Sequence, residues 1–192
     1  PMYEQEVDVE LAERGKHLFE ETCAECHGTY GETQTYPNRR IPIDELKTDS
    51  VRLTAFTAEG RKKYAESWFA HASEPTEQIT VIEPDGYVAP PLDGVWASPP
   101  YFHNGSVPTL WHVLNPPARP TVWRRLGEAM DSERIGFEIE VVDRVPLEER
   151  DVAKRRSYFD TRRHGKSNQG HDYGLALDPE ERDAVLEYLK TL

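Results

Sequence analysis

The apolar positions of this chain fall into two strongly periodic stretches, one near each end, with irregular chain between them. Leu11, Gly15, Leu18, Phe19, Thr22 and Cys26 recur at three- and four-residue steps, the spacing that lines one face of an α-helix. Glu13, Lys16, Glu20 and Glu21 fill the opposite face. An amphipathic helix is predicted there, and Gly28 suits its stop. In "LDPEERDAVLEYLKTL", Asp178 stands as N-cap, Pro179 at the first helical position and Glu181 at the third, a capping pattern. Val185, Leu186, Leu189 and Leu192 then supply the buried face of a closing helix.

The middle of the chain is less regular. "YPNRRIPIDELKTDSVRLTAFT" reads as loop with a short turn of helix, and "AEGRKKYAESWFAHA" as a helix burying Tyr64, Ala65, Trp68, Phe69 and Ala72. "EPDGYVAPPLDGVWASPPYFHNGSVP" is turn chemistry interrupted by large apolar groups, too dense in Pro and Gly for helix or sheet. Such a loop stays ordered only over something large. "SVPTLWHVLNPP" predicts a short helix with Ser106 as N-cap, stopped by Pro116 and Pro117. Across 118–168 the pattern changes: "FEIEVV" reads as a strand and "RSYFDTR" as its partner, a small hairpin in a surface insertion. The expectation is one all-α domain over 1–192, with residues 1–8 as an N-terminal tail and 118–168 as the insertion.

Charge and hydropathy narrow the function classes. The 35 acidic and 23 basic side chains give a formal net charge of −12, which argues against nucleic acid as a partner. The charge serves solubility, or steers a basic partner. No apolar run reaches the length of a membrane span, and the first residues lack a signal-peptide pattern.

Both cysteines lie in "EETCAECHGTYGE", where His27 directly follows Cys23 and Cys26. A structural zinc site takes four ligands, usually from two such knuckles. There is no second knuckle, and the seven histidines include no closely spaced pair. A thioredoxin-like dithiol puts its first cysteine at a helix start, whereas these cysteines end a helical pattern. The remaining chemistry is covalent haem attachment, in which two thiols add across the porphyrin vinyl groups and the adjacent histidine ligates iron. Cys-x-x-Cys-His is its signature. One motif predicts one covalent haem c, a large apolar body that supplements a modest 37% hydrophobic content. Because bacteria attach haem outside the cytoplasmic membrane, a periplasmic or otherwise extracytoplasmic location is expected. The full gene product should then carry an export signal or a preceding domain.

Several stretches carry a family resemblance. "PPLDGVWASPPYFHNGSVPTLWHVLNPPARP" resembles the C-terminal domain of bacterial dihaem cytochrome c peroxidases and, more closely, that of RoxA-type dihaem rubber oxygenases. "KTDSVRLTAF" and "FDTRRHGKSNQGHDYG" resemble the latter group as well. With Cys23, Cys26 and His27, the likeness covers most of residues 9–192. It implies a cytochrome c fold with long ordered loops, whose first and last helices cross closely, here with Gly15 facing Tyr188 or Leu189. Those families carry two haem domains. This chain has one haem motif and corresponds to the second domain.

The chemical question is the sixth position of the iron, which electron-transfer cytochromes fill with Met or His and many oxidative enzymes leave open or displaceable. Where the peroxidases carry a methionine ligand, this chain holds Pro117. The rubber oxygenases resemble a bis-histidine centre with a distal histidine in a Gly-His-aromatic-Gly context, which "QGHDYG" matches. The resemblance therefore implies His171, with Gly170 and Gly174 letting the backbone approach the ring. Met130 and His71 compete, followed by His17, His112 and His164. The family places the counterpart of His103 near the haem, where it would hydrogen-bond a propionate or the backbone. Tyr101, Trp96, Trp111 and Arg52 are candidates for the ring edge.

The expected function is one-electron transfer by a monohaem c-type cytochrome domain through a six-coordinate, bis-histidine haem. Its partner would be a redox protein or an adjoining redox domain, and the reading leans away from an enzyme. The alternative is a peroxidase- or oxygenase-like haem with an open or displaceable sixth ligand. A third reading is a haem that is mainly structural, in a docking module.

Overall fold

The computed structural model describes residue 3, residues 6–68 and residues 85–192. In chain order the elements are α1 (Val9–Thr22), α2 (Ala24–His27), β1 (Arg40–Pro42), α3 (Ile43–Leu46), α4 (Val51–Ala55), α5 (Ala58–Ala65), β2 (Gly86–Val88), α6 (Leu110–Leu114), β3 (Val122–Asp131), β4 (Gly136–Val141), α7 (Val152–Ser157), β5 (Phe159–Asp160) and α8 (Pro179–Leu189).

The two terminal helices build the core. Asp8 caps α1 by accepting the Leu11 N–H at 3.0 Å, and the helix buries Ala12, Gly15 and Phe19 along one stripe. α8 opens with a complete capping box, Asp178 on the Glu181 N–H and Glu181 on the Asp178 N–H, which satisfies two otherwise orphaned donors. Where the helices cross, a Cβ on Gly15 would lie 1.9 Å from the Ala184 carbonyl oxygen and 3.0 Å from Tyr188 Cβ. Only glycine permits that approach. Phe19, 1% exposed, packs its ring 5.3 Å from Tyr188, and burying such a side chain contributes about 2–3 kcal/mol. Val107, Leu110 and Leu114 complete the same cluster.

The pattern predicts an all-α chain; the structure is mixed. β1 and β2 pair antiparallel with Ile41 opposite Tyr87, and β3 is the centre of a three-stranded antiparallel sheet ordered β4-β3-β5. The first sheet was hidden because Gly86 reads as a breaker. In the fold its missing side chain admits the partner strand, since a Cβ there would sit 1.9 Å from Ile41 O. In the second sheet "FEIEVV" does lie in a strand, but its partner is Val122–Asp131, a run of mixed charges without alternation. "RSYFDTR" contributes only Phe159–Asp160, on the other edge of β3. The tip of this hairpin is not superficial: Ile135 is 2% exposed and its carbonyl accepts the Leu110 N–H at 2.8 Å.

Two smaller expectations also change. Thr109, not Ser106, caps α6, accepting the His112 N–H at 3.2 Å, while Ser106 is fully buried. Tyr64 and Trp68 are 42% and 72% exposed rather than core residues; Phe69, His71 and Ala72 lie outside the described residues.

Candidate haem-binding site

α1 ends at Cys23, whose backbone leaves the helical region at φ −120°. The single turn of α2 then resumes, with the Cys26 and His27 N–H groups donating to Cys23 O at 3.1 and 3.0 Å. That turn gathers both thiols and the imidazole at one side of the core. Gly28 turns the chain away at φ 81°, and a Cβ there would strike Thr35 O at 2.0 Å. Cys23 and Cys26 form no disulfide, and burial raises both pKa values.

His27 is oriented from behind. Its Nδ1 lies 2.9 Å from Pro90 O; a carbonyl only accepts, so Nδ1 carries the proton and Nε2 keeps its lone pair for a metal. Tyr30 braces this arrangement, donating to His27 O at 3.0 Å and accepting the Leu92 N–H at 2.7 Å. Burial lowers the His27 pKa, against the Pro90 hydrogen bond.

Across from it stands His171. The ring centroids are 6.2 Å apart at an interplanar angle of 62°. An imidazole nitrogen binds a first-row transition metal at about 2.0 Å and lies roughly 1.1 Å from its ring centre, so two imidazoles trans on one ion have centroids about 6.2 Å apart. The observed centroid separation equals that value. His171 Nδ1 is buried without a hydrogen-bond partner. Burial, the nearby His27 and Arg119 push the ring's pKa down to about 4, keeping it in the neutral form that a metal requires. Phe102 and Tyr173 flank the ring at 5.8 and 5.2 Å.

Gly170 and Gly174 each lie against protein backbone. A Cβ on Gly170 would lie 2.3 Å from the Lys47 carbonyl carbon, and one on Gly174 2.3 Å from Leu114 O. These glycines seat the His171 loop on protein backbone.

The remaining candidates are scattered. His103 stacks on Tyr87 at 4.2 Å, its Nε2 buried and unpartnered, and its carbonyl accepts from Arg52 at 3.4 Å. Tyr101 donates its hydroxyl to Val95 O at 3.1 Å. Trp96 donates to Leu192 O at 3.2 Å and packs on Tyr3. Trp111 lies under Arg134. Met130 sits half exposed on β3 opposite Phe137, and His112 is buried against Thr109. His17 and His164 are exposed. Sequence reasoning missed Pro90 and Phe102, as well as Leu46, whose carbonyl accepts the His171 N–H at 2.9 Å, and Arg119, which donates to His171 O at 3.2 Å. Arg119 sits in "NPPARP", and no local pattern marks it, because the carbonyls it meets in the His171 loop lie 49 to 52 residues away.

Comparison with known proteins bears on the attachment motif. A cytochrome c family model matches residues 12–81, which include Cys23, Cys26 and His27, and a model described as RoxA-like, cytochrome c-like matches residues 86–124. His171 lies in neither span. The uncharacterized protein y4iM of Sinorhizobium fredii is 32% identical across 98% of this chain and 50% of its own length. The uncharacterized protein y4iJ of the same organism is 28% identical across 97% of this chain and 39% of its own length. The chain thus spans half or less of these curated relatives. The family matches support a c-type cytochrome domain resembling the RoxA-like group, with covalently bound haem c and haem-based electron transfer. No helix among the described residues is long and apolar enough to cross a membrane.

Proposed function

We propose that this c-type cytochrome domain carries one haem c between His27 and His171 and passes single electrons between it and a redox partner outside the cytoplasmic membrane. When bound, the haem supplies a reversible one-electron couple at its iron. Cys23 and Cys26 anchor the ring, and Pro90 O fixes the His27 tautomer. His171 closes the distal face, and Phe102 and Tyr173 keep water from its imidazole. The single observation that carries this reading is the 6.2 Å separation of the two imidazoles. That the chain spans half or less of its relatives supports an adjoining domain as electron donor or acceptor.

Optical spectra of the oxidised and reduced holoprotein test it. The expected result is low-spin iron in both states, with no far-red sulfur-to-iron band and slow binding of carbon monoxide. His171→Ala should keep its covalent haem, turn high-spin and show a raised potential, because the lost imidazole donates electron density to the iron. If His171→Ala stayed low-spin while Met130→Ala or His71→Ala turned high-spin, the ligand assignment would fall. A specific observation favours a second reading, a peroxidase- or oxygenase-like site: His171 sits at φ 51°, a conformation disfavoured for residues with a side chain, so the ligand is poised to detach. Rapid carbon monoxide binding by the unaltered protein would select that reading.

A further inference from the structure

Arg119 is a buried cation whose Nη1 lies 3.5 Å from Asp172 Oδ1. Its side chain is 4% exposed, and burial lowers its pKa only to about 10, so it remains charged at neutral pH. A guanidinium has five N–H donors, and here they meet five backbone carbonyls. Two belong to the end of α6: Nε donates to His112 O at 3.0 Å and Nη2 to Val113 O at 3.1 Å. The other three belong to the loop that bears the distal histidine. Nη1 donates to Asn168 O at 2.8 Å and Gly170 O at 2.7 Å, and Nη2 to His171 O at 3.2 Å. The guanidinium also lies 4.9 Å above the Phe102 ring, which flanks the His171 imidazole.

The loop needs such a hold. Gly170 and His171 both have left-handed backbone, at φ 78° and 51°, a conformation that costs a residue with a side chain about 1 kcal/mol or more and persists where its surroundings hold it. Apart from Arg119, the backbone of His171 is tied by its N–H to Leu46 O at 2.9 Å. We propose that Arg119 is the positioning residue that holds His171 on the haem iron, and so sets whether the sixth coordination position is closed or open to outside ligands. This rests on the reading of His171 as the distal ligand. Unlatched, residue 171 relaxes to negative φ, and the imidazole is carried off the iron.

The test uses holoprotein and two readouts, the ferric optical spectrum and the rate of carbon monoxide binding to the ferrous form. Arg119→Met should keep its covalent haem, gain a high-spin ferric component and bind carbon monoxide at least about tenfold faster, as expected when the closed conformer loses its population advantage. Arg119→Lys, which keeps the charge but not the five-donor fork, should fall between. Arg124→Met, which breaks a pair with Glu140 in the hairpin, is the control for destabilisation alone and should match the unaltered protein. A rate unchanged in Arg119→Met, beside a His171→Ala variant that binds fast, overturns the latch and leaves the ligand assignment standing. An unchanged rate in His171→Ala removes the ligand assignment, and the latch with it. Should Arg119→Met yield no folded holoprotein, Arg119→Lys decides: a raised rate supports the latch and an unaltered one overturns it.

Discussion

Strain and buried polarity at single residues mark where this molecule is over-determined. Phe102, Ile135 and His171 all have positive φ, at 66°, 55° and 51°, at a cost of about 1 kcal/mol or more each. Ile135 is held by the core and by Leu110, whereas Phe102 and His171 pack on each other with ring centroids 5.8 Å apart. His112 shows the electrostatic counterpart. It is 4% exposed, with Thr109 Oγ1 2.7 Å from its Nδ1. Burial first, and then Arg134, push its pKa down to about 4. The folded state therefore favours neutral His112, and its contribution is present above the unfolded pKa of about 6.5 and lost as pH falls from there toward 4. By pH 5 the loss is about 2 kcal/mol. Denaturation midpoints of the unaltered protein and His112→Gln at pH 7 and pH 5 should converge by roughly that amount, and parallel pH dependences would refute the assignment.

At the scale of elements, the α1–α8 crossing is where backbone meets backbone. Gly15→Ala gains about 1 kcal/mol of helix propensity. Against this, the new methyl lies 1.9 Å from Ala184 O, a main-chain atom that moves only if the helices part, and overpacking of this kind costs about 1–3 kcal/mol or more. The clash wins. Gly15→Ala should lower the melting temperature, and an unchanged or raised melting temperature would refute the clash. Both terminal helices were legible from residue spacing and capping chemistry, down to Asp178 and Glu181. The sheets were not: β3 carries Arg124, Arg125 and Glu128 on a half-solvated ribbon, so no apolar alternation announces it.

At the scale of the whole molecule, the cofactor and the fold depend on each other. The cysteines leave α1 beside Phe19 and Leu18, and Cys23, Leu18 and Phe102 all pack against the central cluster. A haem attached there becomes part of the core. The double variant Cys23→Ala/Cys26→Ala should consequently fail to reach a stable fold. The unaltered protein, matured in a host with cytochrome c assembly machinery, should give a haem-stained band after denaturing electrophoresis; a colourless band would sink the covalent haem. The net charge of −12 acts at this scale too, as a long-range field that favours a basic partner and weakens as salt rises.

What the sequence by itself determined is what depends on near neighbours in the chain. The attachment motif needs only Cys23, Cys26 and His27 within one helical turn, and the terminal helices need only their periodicity and caps. His171 was reached by likeness of its surroundings, and the fold sets its imidazole 6.2 Å from that of His27, the observation on which its proposed role rests. Tertiary structure alone decided what depends on residues far apart in sequence. It turned Gly86 from a breaker into the admission point for a strand, and seated Gly170 and Gly174 against backbone. It also closed five carbonyls from two segments around Arg119. Backbone hydrogen bonds and glycine contacts of this kind leave no periodic trace, because the partner is a carbonyl that every residue possesses, and only the folded path of the chain selects which one.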